Sequence, residues 1–290
     1  MQYCRNIAFF LVLFNSFQAF SESIYNINPI EVSKDVYVFI GDVNNVNNIN
    51  GGAISNTGFI IGETSILVID AGPSYLYASK VIEIIKSYSS LPIKHLIVTH
   101  HHPDHSFGIS KFIEIKAEII MSQPETHMYL KYGNRLLRQV KNLIGDDWFV
   151  GTNIVKFENS NQKFPLNLDL GGRTVSIELF SKGHSEGDLL IKDMRSNTIF
   201  AGDLVFNERA PTVPHANINN WNKYISKLMK SNWSLLVPGH GELIKIKEKL
   251  ILTKQWINYI DKVAKQAVLN GTSPAEIFNE GIPASLRKYK

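Results

Sequence analysis

Seven side chains of the kind that bind metal ions are concentrated in four short polar segments of this sequence. Each segment follows an apolar stretch, and three of them contain a glycine, which allows the backbone to turn tightly. In extended backbone, the two-residue spacing of His100 and His102 would place both imidazole rings on the same side of the chain. Pro103 then ends the strand, and Asp104 and His105 follow in the turn. The four segments are Thr99–His105, Gly183–Asp188, Ala201–Asp203 and Pro238–Gly241.

These segments contain enough imidazole and carboxylate groups to bind two zinc ions. A zinc ion that keeps one position open for water takes three protein ligands, and histidine with carboxylate is a typical set. Two such sets are present, namely His100, His102 and His184 in one, and Asp104, His105 and His240 in the other. Asp203 can bridge the two ions, because a carboxylate has two oxygens. The sequence therefore predicts one centre for two Zn²⁺ ions.

The other histidines fall outside this pattern. Four of them are interpreted as core or surface residues: His95, His101, His127 and His215. His101 alternates with the proposed ligands and is expected to point away from them, and the other three belong to none of the four segments. Asp70 ends an apolar stretch, and it is either a turn residue or a hydrogen-bond partner of a ligand histidine.

Apolar runs and their periodicity place the polar segments at strand ends. Short or alternating apolar runs predict strands at 36–40, 54–61, 66–69, 93–99, 118–121, 174–180, 188–192, 198–200 and 235–237. Helical spacing of apolar residues predicts helices at 75–88, 106–113, 125–143, 218–229 and 249–269. Strands and helices alternate in each half, and no linker separates the halves. We therefore expect residues 22–290 to form a single domain, with helices at its C-terminal end.

The first 21 residues have the three parts of a secretory signal peptide. Arg5 precedes the apolar run Ile7–Phe14, and Ala19 and Ser21 are small residues at the positions that a signal peptidase requires. We predict removal of residues 1–21 and a periplasmic or secreted location. The apolar run is much shorter than the roughly 20 residues of a membrane span, so no span is expected after signal removal. The only cysteine, Cys4, would be removed as well.

Composition argues against nucleic-acid binding and for a small-molecule substrate. The formal net charge is only +4, and the basic residues are scattered along the chain instead of forming a run. Proteins that bind nucleic acid concentrate lysine and arginine on one face or along one helix. The hydrophobic fraction of 44% is that of an ordinary globular domain.

Taken together, the four segments resemble those of the metallo-β-lactamase superfamily, and the resemblance extends over roughly residues 32–241. It implies an α/β fold of the αββα type, in which two mixed sheets pack face to face, with outer helices and with metals at one edge between the sheets. It also implies the same division of ligands. The first zinc would be bound by His100, His102 and His184, the second by Asp104, His105 and His240, and both by Asp203.

Within this superfamily, the sequence around the four segments is similar to that of the zinc metallohydrolases of the bacterial quinoprotein relay system. The similarity is carried by the segments 51–56, 102–108 and 202–206, together with Arg209 and Pro211. It implies a link to periplasmic quinoprotein dehydrogenases, with a quinoprotein as a partner of the enzyme.

We therefore predict a secreted zinc-dependent metallohydrolase. A hydroxide shared by two zinc ions would attack an ester, thioester or amide-type carbonyl, and Asp104 would act as the catalytic residue by binding metal and orienting that hydroxide. Three alternatives stay open: a true metallo-β-lactamase, an iron-dependent sulfur dioxygenase, and a non-enzymatic metal-binding accessory protein. The segments 44–50 and 208–215 are expected to flank the metals, and Arg209 is either a contact for an anionic substrate or an ordinary surface arginine.

Overall fold

The computed structural model describes residues 24–158 and 162–287, so the predicted signal peptide lies outside the described residues. The strands in this part of the chain are β1 (Ile30–Ser33), β2 (Val36–Phe39), β3 (Thr57–Ile61), β4 (Ile66–Ile69), β5 (Ile93–Ile97), β6 (Glu118–Ile120), β7 (Leu166–Asp169), β8 (Thr174–Ser181), β9 (Gly187–Asp193), β10 (Thr198–Phe200) and β11 (Leu235–Val237). The α-helices are α1 (Tyr75–Tyr88), α2 (Pro103–Ser106), α3 (Ile109–Glu114), α4 (Gln123–Ile144), α5 (Ile218–Lys230), α6 (Leu250–Asn270) and α7 (Pro274–Glu280).

The strands form two mixed sheets, one from each half of the chain. The first sheet has the order β1-β2-β3-β4-β5-β6, and the second has the order β11-β10-β9-β8-β7. Antiparallel neighbours run from β1 to β4 and from β7 to β10. Parallel pairs follow in both sheets, β4 with β5 and β5 with β6 in the first and β10 with β11 in the second. The prediction of two mixed sheets is confirmed.

Apolar side chains fill three separate layers of core. One layer lies between the sheets, where Val38 and Leu67 of the first sheet belong to the same cluster as Ile177 and Ile191 of the second. A second cluster joins the opposite face of the first sheet to α1, α3 and α4, and a third joins the second sheet to α5 and α6. The resulting helix–sheet–sheet–helix arrangement is the predicted αββα fold. In the described part of the chain, no helix combines the length and the apolar character that a membrane crossing requires.

Helix α1 shows how local sequence produces these layers. The Ser74 hydroxyl accepts a hydrogen bond from the Tyr77 amide (3.2 Å) and so caps the helix at its N-terminus. Val81, Ile82 and Ile85 follow at helical spacing and are buried against the first sheet. The observed bounds, Tyr75–Tyr88, are those that the sequence predicts.

Three elements were not predicted, and one predicted helix is divided. Strands β1 and β7 are edge strands with only two apolar residues each, and α7 is a short helix with a mostly exposed surface. The helix predicted at 106–113 consists of α2 and α3 instead. The chain turns between them at Gly108, where a Cβ atom would lie 2.1 Å from the carbonyl oxygen of Ala71. This close approach ties the start of α3 to the end of β4.

A buried arginine joins the two sheets. The Arg173 guanidinium pairs with both carboxylate oxygens of Asp193 (Nε–Oδ1 2.9 Å, Nη2–Oδ2 2.8 Å). It also donates to the carbonyl oxygens of Ile61 (2.9 Å) and Lys34 (3.1 Å), which belong to the first sheet and its β1–β2 turn. Arg173 precedes β8 and Asp193 ends β9, so this link lies at the end of the second sheet that is opposite the β8–β9 loop.

Candidate metal centre

The first half of the chain contributes four of the seven predicted ligands from one connection. Strand β5 ends at Ile97, two residues earlier than predicted, so His100 and His102 lie in the loop that follows it. Helix α2 begins at Pro103, a residue suited to the first helical position. Asp104 and His105 therefore occupy the first turn of a short helix and not a free turn.

The second half contributes the other three from the ends of its strands. His184 lies in the β8–β9 loop, Asp203 in the 3₁₀ turn that follows β10, and His240 in the loop that follows β11. Asp188 closes the first of these loops by accepting hydrogen bonds from the amide (3.0 Å) and the hydroxyl (2.6 Å) of Ser185. Since all these loops open at one edge of the two sheets, the side chains meet there.

One glycine makes the close approach of two of these loops possible. A Cβ atom at Gly239 would lie only 2.0 Å from Oδ1 of Asp203, so any other residue at this position would displace the carboxylate. The loop that carries His240 is also attached to the first sheet. The Asn56 side-chain amide donates to the carbonyl oxygens of Pro238 (2.9 Å) and Gly241 (2.8 Å).

Three imidazole nitrogens face one another in the first predicted set. Nδ1 of His102 lies 3.0 Å from Nε2 of His100 and 3.1 Å from Nε2 of His184. His100 and His184 are completely buried, whereas His102 is partly buried and lines a cavity. Three converging imidazoles with open lone pairs are an arrangement that can bind one zinc-type cation.

The second predicted set is formed around Asp104. Its Oδ2 atom lies 3.6 Å from Nε2 of His105 and 3.3 Å from Nε2 of His240. These three residues form a distinct group whose ligand atoms lie within 4.8 Å of one another. One carboxylate and two imidazoles are again a set that zinc accepts.

Asp203 lies between the two sets, with one oxygen facing each. Its Oδ2 is 3.7 Å from Nε2 of His100 and 3.4 Å from Nε2 of His184. Its Oδ1 is 3.1 Å from Nε2 of His105 and 3.3 Å from Nε2 of His240. A carboxylate in this position can contact two cations at once.

Hydrogen bonds outside the centre fix how the imidazoles are turned. Nδ1 of His105 is bonded to Oδ2 of Asp70 (2.8 Å), and the other oxygen of Asp70 accepts from the Thr99 amide (2.7 Å). Nδ1 of His240 is bonded to the carbonyl oxygen of Ile54 (2.9 Å). In both residues Nε2 is left to face the centre, which is how metal-binding histidines are usually oriented. Of the two interpretations of Asp70, the structure supports the hydrogen-bond partner.

Burial determines the charge of the first set. Removal from water lowers the pKa of His100 and of His102 well below the ordinary value, and neighbouring histidines contribute to the same effect. Burial likewise lowers the pKa of His184 to about 4. These imidazoles are therefore neutral near pH 7, which is the protonation state that binds metal.

Around the second set, the charges of neighbouring groups together affect the pKa values more than burial does. Burial opposes a charge on His105, but Asp104, Asp203 and Asp70 together raise its pKa well above the ordinary value. Burial also opposes the charge of Asp203, yet His240 and His105 hold its pKa well below the usual range. The carboxylates thus produce a site that favours positive charge.

Several buried polar atoms are consistent with bound cations. Within residues 24–158 and 162–287, Oδ2 of Asp104, Nε2 of His105 and Oδ1 of Asp203 form no contact with the geometry of a hydrogen bond, and their near neighbours at 3.1–3.6 Å are one another and Nε2 of His240. Buried polar groups nearly always have a partner, so three such atoms that face one another require an explanation. A metal ion contacted by all three would supply it, and the donor set of imidazole and carboxylate fits that role.

A cavity of about 380 Å³ opens onto the centre. Its lining combines apolar and polar side chains, among them Ile54, His102, Asp104, Arg135, Leu136, Asp203, Phe206, Pro214, His215 and His240. The Asp104 side chain is 15% exposed, whereas that of Asp203 is 3% exposed. Asp104 is therefore the more accessible of the two carboxylates for a molecule in the cavity.

Arg209 holds the asparagine-rich loop beside this cavity. Its guanidinium donates to the carbonyl oxygens of Asp42 (3.2 Å) and Asn44 (3.3 Å) and to the side-chain oxygen of Asn45 (3.3 Å). Arg209 also lines the cavity. The segment around Arg209 lines the cavity, as predicted for 208–215. The asparagine-rich loop is shown to contact Arg209, a structural contact that neither of the two interpretations of the arginine included.

The interpretation of His215 as a residue outside any cluster is wrong. Nδ1 of His215 lies 3.5 Å from Nε2 of His102, and its ring centroid is 5.2 Å from that of His101. His101 is bonded to the buried Glu125, but its ring centroid is also 4.8 Å from that of His102, so the prediction that it points away from the proposed ligands does not hold for His102. No periodicity identifies His215, because it lies in an irregular segment whose path depends on the folded chain.

The fold and the site define a class of protein, and comparison with known sequences gives the family. Residues 50–240 match the metallo-β-lactamase superfamily, which is more than half of the chain, and the protein belongs to this superfamily. Membership indicates a metal-dependent hydrolase.

Individual relatives are distant. The metallo-β-lactamase type 2 of Bacillus sp. (strain 170) is 25% identical over 202 residues, which are 67% of this chain and 70% of the relative. The linear primary-alkylsulfatase of Pseudomonas sp. (strain ATCC 19151) is 21% identical over 267 residues, 77% of this chain but only 49% of that longer protein. The solved structure of TMB-1 superimposes with a TM-score of 0.62 at 18% identity, covering 82% of this chain and 99% of its own, which supports the fold alone.

Proposed function

We propose that this protein is a secreted hydrolase that uses two zinc ions to cleave an ester, thioester or amide-type carbonyl compound. The observation that carries the proposal is the position of Asp203, whose two oxygens each face a separate three-ligand set. His100, His102 and His184 would hold one ion, and Asp104, His105 and His240 the other. Bound zinc would supply Lewis acidity and activation of water near neutral pH.

The residues of this chain would bind and orient the reactants. Asp104 lines the cavity and its side chain is 15% exposed, so its carboxylate can accept a hydrogen bond from the attacking water and direct it toward the substrate. Ile54, Phe206 and Pro214 line the same cavity and can cover the apolar part of a substrate. Asp70 holds the ring of His105, and the carbonyl oxygen of Ile54 holds that of His240. The two rings should therefore move little when a metal ion binds.

The test is metal analysis of the purified protein together with a panel of substrates. The panel contains an ester, a thioester, a β-lactam and a primary alkyl sulfate, because the names of two relatives point to the last two classes. We expect close to two zinc ions per chain and turnover of at least one carbonyl substrate. Asp104→Asn should abolish that turnover, while Asp146→Asn, a change at an exposed carboxylate, should leave it unaffected.

A different outcome would identify one of the alternatives. Iron as the only metal, with oxygen consumption in the presence of a persulfide, would point to the dioxygenase. A protein that holds two metals and hydrolyses nothing in the panel would point to the accessory role. β-Lactam hydrolysis that exceeds ester and thioester turnover would favour a true lactamase, a candidate that the 25% identity to the Bacillus enzyme supports.

The location and partner of the enzyme are part of the same proposal. Support for export comes from the sequence of residues 1–21, and support for a quinoprotein partner comes only from the sequence resemblance in segments such as 51–56 and 202–206. N-terminal sequencing of the protein from its host should begin near Glu22. Affinity capture from periplasmic extract should retain a quinoprotein dehydrogenase, and capture that retains none would remove this part of the proposal.

A further inference from the structure

A second group of three imidazoles adjoins the proposed zinc centre, and two of the three have no part in the proposed reaction. One ligand atom from each of His101, His102 and His215 lies within 4.8 Å of the others. His102 belongs to both groups through different atoms. Its Nδ1 faces His100 and His184, whereas its Nε2 lies 3.5 Å from Nδ1 of His215.

His101 is oriented in the way that metal-binding histidines are oriented. Its Nδ1 lies 2.6 Å from Oε2 of the buried Glu125, and its backbone amide donates to the same oxygen (2.9 Å). The other oxygen of Glu125 accepts from the Gly187 amide (2.9 Å), so the carboxylate is fully engaged. A carboxylate at Nδ1 leaves the lone pair of the imidazole on Nε2, where a metal ion can bind.

Nε2 of His101 is buried and forms no hydrogen bond within the part of the chain that the structure describes. The same combination is found at His105, whose Nδ1 is bonded to Asp70 and whose Nε2 is also without a hydrogen bond there. His105 faces the second proposed zinc set. His101 has the same pattern of bonds, and its ring centroid lies 4.8 Å from that of His102 and 5.2 Å from that of His215.

We propose that His101 and His215, with Nε2 of His102, form a third cation site for a divalent transition metal such as Zn²⁺. Imidazole-rich sets of this kind suit zinc, copper and nickel. His215 is partly exposed and lines the cavity, so a cation can reach the site from solvent. Unlike both groups of the main centre, this group contains no carboxylate ligand, so it should bind a cation more weakly than they do.

Sharing of His102 connects this site to the hydrolytic one, and this consequence rests on the proposed function. When Nδ1 of His102 binds the first zinc, its Nε2 carries a proton, and a cation that binds Nε2 releases that proton to solvent. The shared ring then contacts a cation on each side. Excess zinc should therefore reduce turnover at concentrations that fill the third site.

The experiment is equilibrium dialysis of the intact, metal-free protein against increasing Zn²⁺, with bound metal measured by elemental analysis. Wild type should bind two equivalents tightly and a third at higher concentration. His215→Ala should weaken the third most, by at least about 10-fold, because a ligand is lost. His127→Ala removes an exposed imidazole from α4 and should retain all three equivalents. His215→Cys, which supplies another zinc ligand, should restore the third.

Two results would overturn the proposal: saturation of wild type at two equivalents, or a third equivalent that binds His215→Ala and wild type alike. Circular dichroism of each variant checks that it is folded, and the cysteine variant tests the site independently of the alanine variant. Wild type that hydrolyses substrate and takes only two zinc ions would leave the proposed function intact. A third equivalent in a protein without turnover would support this site alone.

Discussion

The two oxygens of Asp203 contact the two ligand sets separately, and this arrangement can be tested by removing them. Asp203→Ala should leave the three-histidine set able to hold metal while the second set is weakened. Without the carboxylate, two positive ions would lie close together with less compensating charge. Zinc titration should give close to one ion per chain, and most hydrolysis should be lost.

Asp146→Ala, an exposed carboxylate remote from the centre, is the control for Asp203→Ala. Two zinc ions bound by the Asp203 variant as tightly as by wild type would show that this carboxylate does not bridge.

Asp70 offers a second test that does not touch a ligand. It has a positive φ of 62°, a conformation that asparagine also tolerates, so Asp70→Asn preserves the backbone. With asparagine at this position, Nδ1 of His105 would lose its charged partner. The second metal should therefore bind about 10- to 100-fold more weakly. Competition with a zinc-binding dye measures this, and Asp35→Asn, at the same φ of 62°, should bind metal as wild type does.

At the scale of single residues, the sequence predicts which side chains converge, but it does not predict all the residues that contact them. The H-x-H-x-D-H spacing and the later glycine-flanked residues are local patterns, and they identify the seven side chains that form the two ligand sets of the centre. The pairing of Asp70 with His105 could only be suggested, because it spans 35 positions of the chain. The contact of His215 with His102 spans 113 positions and was missed for the same reason.

Among the secondary-structure elements, α1 is the one whose stability is easiest to test. Ser74 caps its N-terminus and also donates to the Tyr25 hydroxyl (3.0 Å), so the hydroxyl has two buried partners. Ser74→Ala should reduce the free energy of unfolding by about 1 kcal/mol, the usual effect of removing a cap. Ser79→Ala, which loses only a bond to the carbonyl oxygen of Tyr75 in the same helix, should change stability much less. Urea unfolding of both variants checks the expectation, and equal losses would contradict it.

Sequence periodicity predicts the elements with a complete apolar pattern well and the others poorly. The bounds of α1, β4 and β11 agree with prediction, because each is a complete apolar pattern. The division between α2 and α3 depends on how closely Gly108 approaches the Ala71 carbonyl, which is a tertiary contact. Edge strands bury little of their surface, and for this reason β1 and β7 have weak patterns.

For the molecule as a whole, Arg173 is a buried polar link between the sheets, because its guanidinium pairs with Asp193 of the second sheet and donates to carbonyl oxygens of the first sheet and its β1–β2 turn. Both side chains are buried, and removal of one leaves the other charge without its partner. Arg173→Met should therefore reduce the free energy of unfolding by about 3–5 kcal/mol. The double variant Arg173→Met/Asp193→Leu should recover part of this loss. Denaturant unfolding of the three proteins decides it, and a single variant as stable as wild type would show that the pair contributes little.

The same pair predicts how stability depends on pH. Burial opposes the charge of Asp193, but Arg173 and Ser196 outweigh it and lower its pKa below the ordinary value. Its contribution is thus present above about pH 4, the range of an unperturbed aspartate, and is lost as the pH falls through the lower folded pKa. Asp35, 3.9 Å from the guanidinium, is the other carboxylate that faces it. The stability difference between wild type and Arg173→Met should shrink between pH 4 and pH 2, and a difference that grows there would contradict this.

The division of the ligands between the two halves of the chain has a consequence for the kinetics of folding. His100 to His105 come from the first sheet and the other three from the second, and Asn56 fastens the His240 loop only when the sheets are docked. The complete centre cannot exist in a partly folded chain. Metal therefore stabilises an arrangement that forms after most of the chain has been organised, and its main effect should be to slow unfolding and not to accelerate folding.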